Sequence, residues 1–93
     1  MAKVEIYTKD WCPYCARAQR LLAESGAEVF EYKVDMGGAK KAEMIQRAGG
    51  RTTVPQIFIG DRHIGGCDNL FDLQQSGKLA ALLAAPRQGS GQA

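Results

Sequence analysis

An α/β fold, with a mixed sheet flanked by helices on both faces, is predicted by three features of the sequence. Short runs rich in β-branched and aromatic residues alternate with segments of helical period, in the order β-α-β-α-β-β-α. The first strand–helix–strand unit implies a parallel pair joined by a right-handed crossover, and a later hairpin adds antiparallel strands. Apolar residues make up 45% of the 93 residues, enough for one core and too many for a disordered chain.

The elements follow in order. "VEIYT" (Val4–Thr8) reads as the first strand. Pro13 opens a helix, because the missing N–H of proline costs nothing at the first helical position. Ala18, Leu21, Leu22 and Ser25 share one face of it, Arg17, Gln19, Arg20 and Glu24 face water, and Gly26 ends it. "EVFEYKVD" alternates Phe30, Tyr32 and Val34 against Glu31 and Lys33, the period of a second strand. "GAKKAEMIQRAGG" places Ala42, Ile45 and Ala48 on one stripe of a helix that Gly49–Gly50 ends. "QIFIG" and "GDRHIG" form the hairpin. Asp68 can cap a helix through "NLFDLQQS" that Gly77 stops, and "KLAALLAA" forms a last helix before Pro86. Residues 1–85 are thus read as one domain and residues 86–93 as a tail without apolar anchors that frays.

Several function classes drop out. A formal charge of +2, with Lys and Arg spread along the chain, does not suit nucleic-acid binding. No apolar run approaches the ~20 residues of a membrane span, and "MAKVEIYTKD" does not read as a secretory signal. A cytoplasmic protein is expected. Three cysteines are an odd number, which argues against a disulfide scaffold.

The chemistry concentrates in "KDWCPYCARAQR". Cys12 falls at or near the N-cap of the Pro13 helix, where unpaired N–H groups and the helix dipole favour a thiolate, the form that attacks disulfides. Lys9 adds a cation and Asp10 opposes it. Cys15, at i+3, lies on the same side of the helix within bridging reach and is expected to be more shielded. Cys12 is therefore expected to attack, and Cys15 to resolve a mixed disulfide or stay idle. Two other readings of the pair exist: small apolar core residues, which a Pro-opened turn between Trp11 and Tyr14 disfavours, and a zinc set of Cys12, Cys15, His63 and Cys67. The zinc set draws its histidine from a predicted strand and its last cysteine from beyond the flexible Gly65–Gly66 pair, so no metal is expected.

Two further segments carry weaker signals. In "RTTVPQIFIG", Pro55 forces extended backbone on Val54, whose N–H and C=O can then pair with an extended peptide. In "GGCDNL", backbone N–H groups at a helix start suit a carboxylate and the Asp68 side chain suits an ammonium.

"CPYC", "TVPQIFI" and "GGCDNL", in this order and spacing, resemble the glutaredoxin family, in its short, bacterial, dithiol form, over nearly the whole chain except the tail. The resemblance implies a thioredoxin fold, a central four-stranded mixed sheet flanked by helices, with the Val54–Pro55 bond in cis. It implies that the three segments meet on one face and bind glutathione as co-substrate. Cys12 would form the mixed disulfide, Val54 would pair with the cysteinyl backbone, and the Cys67 N–H with Asp68 would hold the γ-glutamyl end. Tyr14, Thr53 and Pro55 would line the groove and Lys9 would meet the glycine carboxylate. Two features depart from the family pattern: Asn69, where many relatives have a second acidic residue, and Arg51 ahead of the doubled Thr52–Thr53. The implied function is a glutathione-dependent thiol–disulfide oxidoreductase, a monomer acting on glutathionylated and disulfide-containing proteins, with reductant from NADPH through glutathione reductase. The rivals are a thioredoxin-like reductase independent of glutathione and an iron–sulfur carrier that shares a cluster between two chains.

Overall fold

Why the central strand can be buried along its whole length becomes plain from its neighbours in the computed structural model, which describes residues 2–85. β1 (Val4–Thr8) pairs in parallel with β2 (Val29–Lys33), from Val4 opposite Val29 to Thr8 opposite Lys33. On its other side it pairs antiparallel with β3 (Gln56–Ile59), which forms a hairpin with β4 (Arg62–Gly65). The sheet order is β2-β1-β3-β4, the mixed four-stranded sheet predicted. All five residues of β1 are buried, because strands flank both edges and helices cover both faces.

The alternation of side chains along β1 and β3 divides the core in two. On one face Val4, Ile6, Ile57 and Ile59 meet α1 (Pro13–Glu24), α3 (Cys67–Gln75) and α4 (Leu79–Ala84) through Ala18, Leu22, Leu70, Leu79 and Leu83. On the other face Tyr7 and Phe58 meet α2 (Gly38–Arg47) through Met44 and Ala48. α1 ends as read from the sequence: Gly26 takes φ +79, its N–H donates to Ala23 O, and Ala27 N–H donates to Leu22 O at 3.1 Å. The expectation of a fraying tail concerns residues that lie outside those described.

Two expected faces differ from those observed. On α2 the anchor is Met44, fully buried, with Ala48 beside it and Ile45 partly buried, whereas Ala42 is exposed. A polar network sets this rotation. Arg47 reaches under the helix to Glu5 at 3.1 Å, donates to the Tyr7 hydroxyl at 2.8 Å and lies over Phe58 at 4.1 Å. Tyr7 in turn donates to Glu43. Two charged residues thus face the sheet, where a simple apolar stripe would have put none. In β2 the inward set was expected to be Phe30, Tyr32 and Val34. Val34 is buried just past the strand and Tyr32 is half-buried, its hydroxyl donating to Glu5 at 2.9 Å, but Phe30 stays 37% exposed under the Lys3 ammonium. β2 is an edge strand, and Phe30 belongs to neither apolar cluster.

Replacement of Leu22 by Ala should destabilise the fold by about 2–5 kcal/mol, as expected for a cavity in a fully buried site. Replacement of Phe30 should change stability by no more than about 0.5 kcal/mol. Urea unfolding of the two variants, compared with the parent at equal m-value, measures both.

Candidate active site

Local backbone geometry puts Cys12 at the start of α1. It is the N-cap, with extended φ −115° and ψ 100°, and Pro13 follows as the first helical residue. The Cys12 side chain accepts a hydrogen bond from the Cys15 N–H at 3.2 Å, so the sulfur itself satisfies one of the unpaired donors of the first turn. Cys12 is partly exposed and Cys15 is 3% exposed. Burial, above all, pushes the Cys15 thiol well above its ordinary value; its hydrogen bond with Cys12 and the negative charges of Cys12 and Glu31 push the same way, against the Lys9 backbone. The two cysteines therefore differ as expected, one reachable and one shielded. All three cysteines are free thiols.

Asp10, expected to oppose a thiolate, is drawn off by Lys33, whose ammonium stands 2.6 Å from its carboxylate. The Asp10 N–H donates to Asp35 at 2.8 Å, which fastens the β2–α2 loop beside the cysteine turn. On the sheet side Thr8 donates to Glu31 at 2.7 Å, and this bond is the largest cause that holds the Glu31 carboxyl below its usual range.

The three segments singled out in the sequence do meet. A cleft of about 630 Å³ is lined by Lys9, Cys12, Tyr14, Thr52, Thr53 and Val54 among others. A smaller recess of about 160 Å³ is lined by Tyr14, Arg51, Thr53, Val54, Pro55, Cys67, Asp68 and neighbouring residues. Tyr14, Thr53 and Val54 border both, so the two make one groove running from Lys9, past Cys12, to Asp68. The Val54–Pro55 bond is cis. The Val54 backbone N–H and C=O have no partner among the described residues. Of the residues expected at the site, Lys9, Cys12, Tyr14, Thr53, Val54, Pro55, Cys67 and Asp68 lie on this groove, whereas Cys15 is buried and borders only a separate hollow that it shares with Cys12.

One detail differs from the sequence reading. Asp68 does not cap α3; Gly66 is the N-cap, Asp68 is the second helical residue, and the Asn69 side chain accepts the Gly66 N–H at 3.0 Å. Asn69 so supplies a cap, and Cys67 and Asp68 keep their N–H groups at an open helix start. Gly65 is required there, since φ is +113° and a Cβ would stand 2.4 Å from the Asn69 carbonyl oxygen. Arg51 lies at this end of the groove, its guanidinium near Gly65 and Asn69, rather than at the Lys9 end. His63 stands apart from the cysteines, stacked on Phe58 and hydrogen-bonded to Gln56 at 2.7 Å. Among the described residues no three His, Cys, Asp or Glu side chains converge to hold a metal. Cys67 is buried, and burial raises its thiol pKa.

Sequence reasoning overlooked Lys41 and Gln56. Lys41 lines the cleft from α2, whose preceding loop is tied to the cysteine turn by the Asp10–Asp35 bond, a long-range fact without a local signal. Gln56 did leave a signal, as one polar residue opening the apolar strand "QIFI". Fully buried, its amide donates to the Thr53 carbonyl at 3.0 Å and to the Thr53 hydroxyl at 3.2 Å while its oxygen pairs with His63. This buried amide ties the groove wall to β4.

Comparison with known proteins decides the relationship. The glutaredoxin family pattern matches residues 4–64. The chain belongs to the glutaredoxin family. It is 57% identical to glutaredoxin 3 of Escherichia coli (strain K12) over 83 residues, 89% of this chain and 99% of that one. A glutaredoxin of Pseudomonas aeruginosa is 51% identical over 85 residues, 91% of this chain and all of its own. Among solved structures, the glutaredoxin of Brucella melitensis superposes with a TM-score of 0.76 at 53% identity, covering 89% of each chain. A buckwheat glutaredoxin–glutathione complex gives 0.77 at 34% identity, covering 88% of this chain and 76% of its own. The glutaredoxin reading makes the fold a thioredoxin fold and the chemistry thiol–disulfide oxidoreduction. No helix among the described residues is long and apolar enough to cross a membrane.

His63 is the only histidine of this glutaredoxin, and burial, followed by the positive charges of Arg51 and Arg47, lowers its pKa. With the folded value below the unfolded ~6.5, the unfolded chain binds the proton more readily, so stability is retained above that pH and lost as pH falls through the folded value. Urea unfolding at about pH 5 and about pH 7.5 should show this loss, and His63→Gln should diminish it.

Proposed function

We propose that the chain is a glutathione-dependent oxidoreductase that reduces protein–glutathione mixed disulfides and protein disulfides. The observation that carries this reading is the reachable Cys12 sulfur at the head of α1, opening onto a groove bordered by the unpartnered Val54 backbone and ending at Asp68. Glutathione has two carboxylates and one ammonium. Lys9 offers a cation at one end of the groove, and Asp68 with the open N–H groups of α3 offers both signs at the other. The buckwheat relative, whose structure is a complex with glutathione, supports the same ligand.

In the proposed cycle the Cys12 thiolate attacks the glutathionyl sulfur of a mixed disulfide. The protein thiolate leaves and takes up a proton, and Cys12 remains bonded to glutathione. A second glutathione thiolate attacks that bond, regenerates Cys12 and departs as glutathione disulfide, which NADPH and glutathione reductase recycle. With a protein disulfide, Cys12 instead bonds one substrate sulfur, and Cys15 attacks to release the substrate and close the Cys12–Cys15 disulfide, which glutathione then reduces. Val54 pairs with the cysteinyl backbone, Cys67 N–H and Asp68 hold the γ-glutamyl end, and Tyr14, Thr53 and Pro55 shape the wall. The chain works as a cytoplasmic monomer without a metal.

Cys12→Ser should abolish turnover of a glutathionylated peptide, whereas Cys15→Ser should retain it and lose only the route that closes the intramolecular disulfide. A glutathione-coupled assay decides; turnover surviving in Cys12→Ser would refute the assignment of the nucleophile. The closing step should also be pH-dependent. Burial keeps Cys15 protonated at neutral pH, so the thiolate fraction, and with it the closure rate, should grow from about pH 7 to about pH 9. Rapid acid quench and mass analysis of the Cys12–substrate disulfide would follow it.

A further inference from the structure

Trp11, directly before the nucleophile, is 98% exposed. It also sits at φ +56°, the left-handed region, which a bulky side chain rarely adopts and which is a source of local strain. Nothing in the core explains either fact, because the ring packs against no other described ring and adds nothing to the two apolar clusters. Single exposed apolar residues are ordinary on a protein surface. Here they are grouped. Among the described residues the exposed large apolar side chains are Trp11, Tyr14, Met36 and Phe30; Trp11 and Tyr14 flank Cys12–Pro13, and Met36 follows Asp35, which lines the same cleft as Cys12. Tyr14 is in the first turn of α1. Met36, 95% exposed, follows Asp35, which holds the Asp10 N–H and so fixes its loop beside Trp11.

The rim is aromatic without being charged in excess. Asp10, next to Trp11, is neutralised by Lys33 at 2.6 Å. Trp11 borders both the cleft described above and a second hollow of about 440 Å³ on the other side of Cys12, lined by Asp10, Gln19, Glu31 and Lys33 among others. The occupant of such a rim is fixed by the reaction. Sulfur exchange at Cys12 brings the polypeptide on either side of the substrate cysteine against the residues that border Cys12. Rings present large, stiff contact areas that lose little freedom on binding.

We propose that Trp11 is a specificity-determining docking residue for the polypeptide half of the substrate, favouring apolar or aromatic residues within two positions of the reacting cysteine. This rests on the proposed function for its assay, but the contact itself requires only disulfide exchange at Cys12. A side chain from the substrate lies against the indole face while its sulfur is bonded to, or leaves from, the reacting pair. The strained backbone keeps the ring pointing outward rather than folding over the cysteine.

Two measurements test it. In the first, kcat/KM is compared for glutathionylated peptides that differ only in carrying Phe or Gly beside the cysteine, with glutathionylated free cysteine as the reference. The parent should prefer the Phe peptide by about tenfold, the scale of one well-made aromatic contact, with the difference in KM. Trp11→Ala and Trp11→Gly, the second of which also relieves the left-handed backbone, should bring that ratio close to one. No preference in the parent, or an equal preference in both variants, overturns the proposal. In the second, Cys15→Ser protein is linked through Cys12 to each peptide by exchange with its thionitrobenzoate disulfide. Trp11 is the only tryptophan of the chain, so its emission reports the contact directly. A blue shift with the Phe peptide and none with the Gly peptide supports docking, and identical spectra overturn it. Absence of glutathione-dependent turnover with every substrate, accompanied by the blue shift, would refute the glutathione reading and leave the docking site standing.

Discussion

A hydrogen bond from the Cys15 N–H to the Cys12 sulfur organises the working end of this molecule. The same contact that starts the helix also positions the Cys12 sulfur, since the N-cap side chain must lie across the first turn to accept it. Pro13 enforces the start, and the shared face of Ala18, Leu21 and Leu22 clamps α1 to the buried side of the sheet. Cys12 is therefore held outward while Cys15, one turn on, is drawn under the helix. The difference between a reachable sulfur and a shielded one thus comes from helix geometry and packing together. Neither cysteine needs a special pocket of its own.

The groove is made by assembling loops whose positions are fixed from behind. β1 and β3 carry the cysteine turn and the Thr53–Pro55 wall to the same end of the sheet. Gln56, buried beneath, fastens that wall to His63 on the neighbouring strand. Gly65 and Asn69 shape the far end so that α3 presents free N–H groups rather than a side-chain cap on its first residues. Lys9, Tyr14, Thr53 and Asp68 are exposed along the groove, whereas Pro55 and Cys67 are buried in its wall and Gln56 behind it is buried and hydrogen-bonded.

Most of the architecture was legible in the sequence because its signals are local: strand periods, Pro13 at a helix start, and Gly26 and Gly77 at helix ends. The meeting of "CPYC", "TVP" and "GGCD" on one face was legible only through the resemblance to the glutaredoxin family. What the sequence left hidden depends on contacts distant along the chain. The rotation of α2 follows from Arg47 finding Glu5 and Tyr7, and period alone favoured the stripe through Ala42. Phe30 looked inward because alternation cannot tell an edge strand from a central one. Asp68 looked like a cap because a preference for acidic residues holds for several positions at a helix start, and only the bond to Asn69 separates them.

The two faces of the sheet are not equally secured. Three helices share the larger apolar cluster, while α2 alone covers the other, and much of its grip is ionic and tyrosyl rather than oily. Subglobal opening is therefore easiest at α2, whose amides should exchange with solvent before those of α1. Lys41 rides on that helix, so such breathing would widen one bank of the groove and leave the sulfur-bearing bank at rest.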